Sequence, residues 1–166
     1  LIDRMGRITA SLRSFARRGD DKGQASLGKA VEAALQLLGS RMESAHLQLH
    51  RDFNDVQVQI DQTRLEQILV NLIGNALDAM QSQPLPALWL EGEEHDGKYR
   101  LRVRDNGHGI DAEARKHLFE PFFTTKPGEQ GLGLGLTLSA SLAAATGGHL
   151  GVEHPASGGT TFVLSL

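Results

Sequence analysis

The 166 residues include no cysteine. That removes disulfides and cysteine-ligated metal centres, and it suits a reducing compartment. No apolar run approaches the ~20 residues that a membrane-crossing helix needs. No signal-peptide pattern stands at the start. Basic charge is not in excess either. The formal net charge is −3, and Lys and Arg are scattered apart from Arg13, Arg17 and Arg18, so no nucleic-acid surface is expected. The histidines (46, 50, 95, 108, 117, 149, 154) show no metal-ligand spacing. His46 and His50 stand four apart, but in a stretch that reads as strand. There is no internal repeat and no defensible Ser/His/Asp arrangement. What remains is ordinary globular material, 40% hydrophobic and 22% charged, long enough for one domain with a proper core.

The positive signals begin with Gly131-Leu132-Gly133-Leu134-Gly135-Leu136. An apolar, Ser/Thr/Ala-rich run follows over residues 137–145 and stops at Gly147-Gly148. The run reads as a helix, so the glycines form a loop that opens it. A helix N-terminus presents unpaired N–H groups and a positive dipole end, and glycine lets a ligand approach that backbone closely. A phosphate chain is the natural guest. The stretch is not a Walker A loop, since no Gly-Lys-Ser/Thr follows, and no acid-ended βαβ unit makes it a dinucleotide fingerprint. By itself it reads equally well as a flexible linker.

Taken in order, residues 1–18 carry Ile2, Met5, Ile8, Leu12 and Phe15 as one apolar stripe of an amphipathic helix. The chain opens directly in this pattern, so a fragment of a longer protein is expected. Gly19-Asp20-Asp21-Lys22-Gly23 breaks the helix, and a domain boundary is placed there, dividing residues 1–19 from residues 20–166. An ordinary first helix of a single domain is the alternative. Ser26 can cap a helix running to about residue 45. Leu47 and Leu49, then Val56, Val58 and Ile60, alternate as short strands. Asp61 caps a long helix to about Gln81. Residues 87–93 and 98–105 are strands joined at Asp96-Gly97. Residues 111–118 form a short helix, residues 119–130 a loop, and residues 150–153 and 160–166 a final hairpin. Mixed order with hairpins predicts an α+β fold: a two-layer α/β sandwich with a mixed sheet covered by helices on one face.

Two stretches carry chemistry. With Asn71 at zero on a helical wheel of about 100° per residue, Asn75 falls at about 40°, Asp78 at about −20° and Gln67 at about −40°. Leu65, Ile68, Leu69, Val70, Leu72, Ile73, Ala76, Leu77 and Met80 make the rest of that helix apolar, so it is buried. The polar stripe then faces a cavity, although a solvated face is the plainer alternative. Amide oxygens suit magnesium that keeps phosphate oxygens and waters as further ligands. The second stretch is Asp105-Asn106-Gly107-His108-Gly109-Ile110. Asp105 shares a strand face with Tyr99, Leu101 and Val103, so its carboxylate is in phase with the core and must find donors. A plain Asn-Gly hairpin turn would need a following strand, and residues 108–118 do not alternate.

Together these residues resemble the ATP-binding domain of bacterial sensor histidine kinases, in the gyrase/chaperone/histidine-kinase/mismatch-repair ATPase superfamily. Residues 65–79 resemble the family's asparagine box and residues 105–110 its first glycine box. Phe119-Glu120-Pro121-Phe122-Phe123-Thr124-Thr125-Lys126 resembles its phenylalanine box. Residues 131–136 resemble the second glycine box and Gly158-Gly159-Thr160-Thr161-Phe162 the last strand. Arg4-Met5-Gly6-Arg7-Ile8-Thr9 and Ser14-Phe15-Ala16-Arg17 resemble the tail of the dimerisation helix in the C4-dicarboxylate-type sensor kinases.

The resemblance implies a Bergerat-type ATP-binding fold with ATP and magnesium as ligands. Asn75 would hold magnesium, with Asn71 near the phosphates and Asp78 among the cofactor-binding residues. Asp105 would accept from the adenine amine, helped by Thr160. Gly107 and Gly109 would let the base sit against the backbone. Residues 111–130 would be a mobile lid with Lys126 reaching the phosphates. Gly131, Gly133 and Gly135, with Leu134 and Leu136 between and after them, would supply backbone N–H groups. Asn71 and Lys126 would be the catalytic pair. The implied partners are a dimerisation/phosphoacceptor domain of the same protein, a response regulator and a second copy in a homodimer. The implied location is the cytoplasmic side of an inner-membrane sensor. No histidine here has the His-Glu/Asp-x-x-Pro context of the family's phosphoacceptor. Hydrolytic members of the superfamily carry glutamate where Asn71 stands, and an amide cannot serve as a general base at neutral pH. The expected activity is therefore transfer of the ATP γ-phosphoryl to a histidine. A superfamily ATPase acting as a conformational clock, or a degenerate kinase that only binds nucleotide, are the alternatives.

Overall fold

The computed structural model describes residues 23–43, 45–49, 53–126 and 133–166. The expected helix over residues 1–18, the boundary at residues 19–20, Gly131 and Leu132 lie outside the described residues. In chain order the elements are β1 (Ala25–Ser26), α1 (Leu27–Leu37), α2 (Gly39–Met42), β2 (His46–Leu49), β3 (Gln57–Val58) and α3 (Gln62–Ala79). There follow β4 (Ala87–His95), β5 (Lys98–Asp105), α4 (Ala112–His117), α5 (Gly135–Ala144), β6 (His149–Glu153) and β7 (Thr160–Ser165).

Ser26 caps α1, its hydroxyl accepting from the Lys29 N–H, and Leu27, Ala30, Val31 and Ala34 form the buried stripe. The helix expected to run to about residue 45 is interrupted at Leu38. The Leu38 N–H still reaches Ala34 O at 3.1 Å, but its backbone leaves the helical region and Gly39 follows, a poor helix former. The remaining turn, α2, fully buries none of its residues, and only Met42 packs partly against the core, so little apolar surface holds it in line with α1. The strand expected through Val56, Val58 and Ile60 pairs only at Gln57–Val58, because its partner β1 is two residues long. Beyond that partner the chain turns into helix, with Leu27 N–H donating to Val56 O at 2.9 Å.

The central element is α3. Asp61 caps it by accepting from the Arg64 N–H at 3.1 Å. Leu65, Ile68, Leu69, Leu72 and Ile73 have no exposed surface, and the helix packs against α1, α5 and β5. Burying one such side chain contributes roughly 1.5–3 kcal/mol, so this helix anchors the fold.

The five-stranded sheet runs β2-β4-β5-β7-β6, with β2 parallel to β4 and the other neighbours antiparallel. The β4–β5 hairpin turns at Asp96-Gly97, both at positive φ (51° and 74°), as a two-residue turn between twisted strands requires. Leu88, Leu90, Leu101, Val103, Phe162 and Leu164 line the buried face. The opposite face carries charge. Arg102 Nη1 meets Glu93 Oε1 at 2.6 Å, which holds the Glu93 carboxyl below the usual carboxylate range. Arg104 lies over the Trp89 ring at 4.9 Å, and the Trp89 indole N–H donates to Gln48 Oε1 at 2.8 Å. Helices on one face and a polar sheet surface on the other make the expected two-layer sandwich with a mixed sheet. No helix of the described residues is long and apolar enough to cross a membrane.

Candidate nucleotide site

The polar stripe of α3 is half-buried, and each member has a partner. The Asn71 amide donates to Ser139 Oγ of α5 at 2.9 Å. Asn75 Oδ1 accepts from Lys126 Nζ at 3.1 Å. Asp78 is shared, with Oδ2 paired to Lys126 and Oδ1 paired to Arg41. The stripe is therefore half-buried and paired, not a freely solvated row of side chains. Asn75, Asp78 and the lysine of the phenylalanine stretch meet at one place.

The start of α5 lies against this stripe. A Cβ on Gly135 would land on the Asn71 side chain, 3.0 Å from its Cγ, so any other residue there would displace the Asn71 amide. Leu134 is the N-cap of α5, and no side chain caps its first turn. Its leading N–H groups stand beside Asn71 with the positive dipole end. Gly133 takes a left-handed φ of 64° and lies against the backbone of Phe122 and Phe123. Phe122 N–H donates to Gly133 O at 2.8 Å, and Thr137 Oγ1 donates to Phe119 O at 3.0 Å. The phenylalanine stretch and the second glycine stretch are thus stitched together. The start of the phenylalanine stretch is tied to α4 by His117, whose Nδ1 lies 2.9 Å from Glu120 Oε1. Hydrogen bonding and charge from Glu120, with help from Glu113, raise the His117 pKa.

At the other end, β5 delivers Asp105, which is 1% exposed. Burial pushes its carboxyl above the usual carboxylate range, opposed by the N–H groups of Gly107 and Thr160 and by the nearby charge of His108. The Gly107 N–H reaches Asp105 Oδ1 at 2.8 Å. Thr160 is the direct ladder partner of Asp105 and is itself buried. Gly159, at φ 79°, is what makes that turn possible, since a Cβ there would strike the Asp105 carbonyl. Asn106 does not build a hairpin. Its Oδ1 accepts from Ala87 N–H at 2.9 Å and its amide donates to Leu85 O at 2.8 Å, tying the loop to the start of β4. The missing Cβ of Gly107 is accounted for within the fold, because it would lie 2.6 Å from Ala79 O at the end of α3. Gly109 holds a left-handed φ of 74°.

Asn71, Asn75, Asp78, Lys126, Gly133, Leu134, Gly135 and Leu136 therefore gather along α3 and the start of α5. Asp105, Gly107, Gly109 and Thr160 gather past the end of α3, where His108 N–H donates to Ala79 O at 3.3 Å. Among the described residues no three His, Asp or Glu side chains cluster as a self-sufficient metal site. Asn75 supplies a hard oxygen donor that needs further oxygens, such as phosphates and water, to complete a magnesium shell, while both Asp78 oxygens are already paired to cations. The donor set fits magnesium brought in with a triphosphate. Two residues that touch the stripe were not singled out from the sequence. Ser139 was legible in principle, as a hydroxyl in an apolar helix that has to find a partner. Arg41 gave no sequence signal, because its contact spans 37 residues.

Residues 60–166 match the family described as histidine kinase-, DNA gyrase B- and HSP90-like ATPase. The chain belongs to that ATPase family. Within it, the relatives are sensor histidine kinases. The C4-dicarboxylate transport sensor protein DctB of Rhizobium meliloti (strain 1021) is 43% identical over 171 residues, covering 100% of this chain and 27% of that protein. The catalytic domain of histidine kinase ThkA superposes with a TM-score of 0.76 at 27% identity, covering 89% of this chain and 95% of that one. Full-length ShkA in complex with AMPPNP superposes with a TM-score of 0.78 at 25% identity, covering 98% of this chain and 35% of that one. The chain spans about a quarter of the length of the curated relatives it matches first. Across the described residues this ATPase-family domain is similar to the catalytic domains of histidine kinases. The family match takes in α3 and everything after it, whereas α1, α2 and Arg41 lie ahead of it.

Proposed function

We propose that the domain binds magnesium-ATP along α3 and passes the γ-phosphoryl group to a histidine on a dimerisation domain of the same protein. The observation that carries this reading is the meeting of Asn75, Asp78 and Lys126 beside the uncapped start of α5. The buried Asp105, with Thr160 beside it, forms the base-reading end. A relative that holds AMPPNP, ShkA, shares this fold. Asn75 holds the magnesium, and Asn71 and Lys126 act on the phosphates. The backbone N–H groups of residues 133–136 cradle the phosphate chain. Gly107 and Gly109 frame the base. Magnesium, when bound, neutralises phosphate oxygens and lowers the charge barrier to transfer. The chain's own residues position the nucleotide and stabilise charge, which is most of what phosphoryl transfer asks of a protein. The bond from the γ-phosphorus to the bridging oxygen breaks, a bond from phosphorus to the histidine nitrogen forms, and ADP leaves. Asn71 stands where a base would activate water and cannot take a proton, which favours a protein acceptor.

In this reading residues 1–19 end the dimerisation helix and residues 20–166 form the catalytic domain. The intact protein is a homodimer whose catalytic domain lies on the cytoplasmic side of an inner-membrane sensor. A response-regulator aspartate receives the phosphoryl group from the histidine. The domain, mixed with a dimerisation domain bearing a phosphoacceptor histidine and with γ-labelled ATP, should label that domain with an acid-labile phosphoryl group. Asn75→Ala should weaken ATP binding far more with magnesium than without it, measured by calorimetric titration. Fast release of inorganic phosphate without labelling would make the domain a hydrolytic clock. Binding with neither reaction would make it a nucleotide sensor.

A further inference from the structure

Asp78 poses a problem for the reading just given. A carboxylate three residues from Asn75, at the phosphate end, repels an incoming triphosphate and holds Lys126 in an ion pair. The structure divides that carboxylate between two cations: Oδ2 faces Lys126 and Oδ1 faces Arg41. Arg41 comes from the short helix α2, reaches across α3 and donates a second hydrogen bond to Gly74 O at 3.4 Å. Gly74 is glycine in the middle of a long helix, where glycine is a poor choice. A Cβ there would stand 3.7 Å from Arg41 Nη1, so the guanidinium lies directly against this turn of the helix.

Resting on the nucleotide-site reading, we infer that Arg41 is a positioning residue for the phosphate end. Its guanidinium neutralises Asp78, so that Lys126 can leave Asp78 for the phosphates and the remaining carboxylate does not repel them. Arginine suits this task because it stays charged at every working pH and offers several donors from one plane. Without Arg41, Asp78 keeps Lys126 as its one paired cation among the described residues and carries more of its charge toward the phosphates. Arg41 and Asp78 are partly exposed (44% and 28%), so the effect is moderated by solvent.

The test is calorimetric titration of the whole chain with ATP, ADP and adenosine, each with excess magnesium. Arg41→Met should weaken ATP binding about three- to tenfold, ADP less, and adenosine hardly at all. Arg41→Lys should retain part of the ATP affinity. Asp78→Asn placed in the Arg41→Met background should recover ATP binding, because it removes the charge that Arg41 neutralised. The Arg41→Met loss should shrink in high salt. Equal weakening for all three ligands, with a lowered melting temperature and no recovery from Asp78→Asn, would make Arg41 a structural residue and overturn the proposal. Wild-type affinity in Arg41→Met would overturn it too. Failure of the unaltered chain to bind any of the three ligands would overturn the nucleotide site itself, a result separate from any effect of Arg41.

Discussion

Asp105 carries a structural cost that its proposed role in base recognition would explain. Its carboxyl is buried and its pKa raised, mainly by desolvation and only partly offset by the N–H groups of Gly107 and Thr160. A raised folded-state pKa means that the folded protein holds this proton more tightly than the unfolded chain. The residue therefore supports stability below its unfolded pKa, and that support is lost as pH rises through the folded pKa. Asp105→Asn keeps an acceptor for the Gly107 N–H and removes the buried charge. Its melting temperature should fall less than wild type's between acidic and neutral pH, as scanning calorimetry would show. The same change should weaken ATP binding and narrow the preference for ATP over GTP, because only the carboxylate is a pure acceptor for an amine. Leaving a buried group unpaired costs about 1–3 kcal/mol, roughly ten- to a hundredfold in affinity. On acidification, wild-type ATP binding should fail at a higher pH than an ordinary carboxylate would dictate. A competition assay returning the same ATP/GTP ratio in the variant would remove Asp105 from base recognition.

Among the elements, the junction of α3 with α5 decides the geometry of the proposed phosphate end. Gly135 allows the close approach, and the bond from Asn71 to Ser139 fixes the two helices in register. Gly135→Ala pushes a methyl group into the Asn71 amide. Overpacking of this kind costs typically about 1–3 kcal/mol, and here the strain falls on a predicted phosphate ligand. The variant should lose stability in urea unfolding and lose ATP affinity together, with the affinity loss the larger of the two. Unchanged nucleotide binding in a folded Gly135→Ala protein would mean that the start of α5 is not part of the phosphate site. The same junction shows why α5 has to be apolar: Leu138, Leu142 and Ala143 turn inward onto the core that α3 shares.

At the scale of the whole molecule, α3 joins both ends of the site to the core, so stability and binding should prove coupled. Leu72→Ala opens a cavity in a fully buried position and should cost about 2–5 kcal/mol. Saturating ATP should raise the melting temperatures of both the wild type and this variant, since a ligand that binds only the folded state stabilises it. Absence of any such shift in the wild type would contradict nucleotide binding. Local patterns in the sequence were enough to determine α3, its cap at Asp61, the β4–β5 hairpin, the opening of α5 by glycines and the inward phase of Asp105. Each of these follows from periodicity, capping or turn chemistry within a few residues. The amide-rich stripe and the glycine-rich stretches were legible as candidate site residues for the same reason. The break at Leu38 and the shortening of β3 were not, because they depend on what α2 fails to bury and on how long β1 is. Tertiary structure alone decided that Lys126 meets Asn75 and Asp78, that Ser139 holds Asn71, and that Arg41 reaches Asp78. These contacts join residues 37 to 68 positions apart, and no local rule fixes which side chains the packed helices bring within hydrogen-bonding distance.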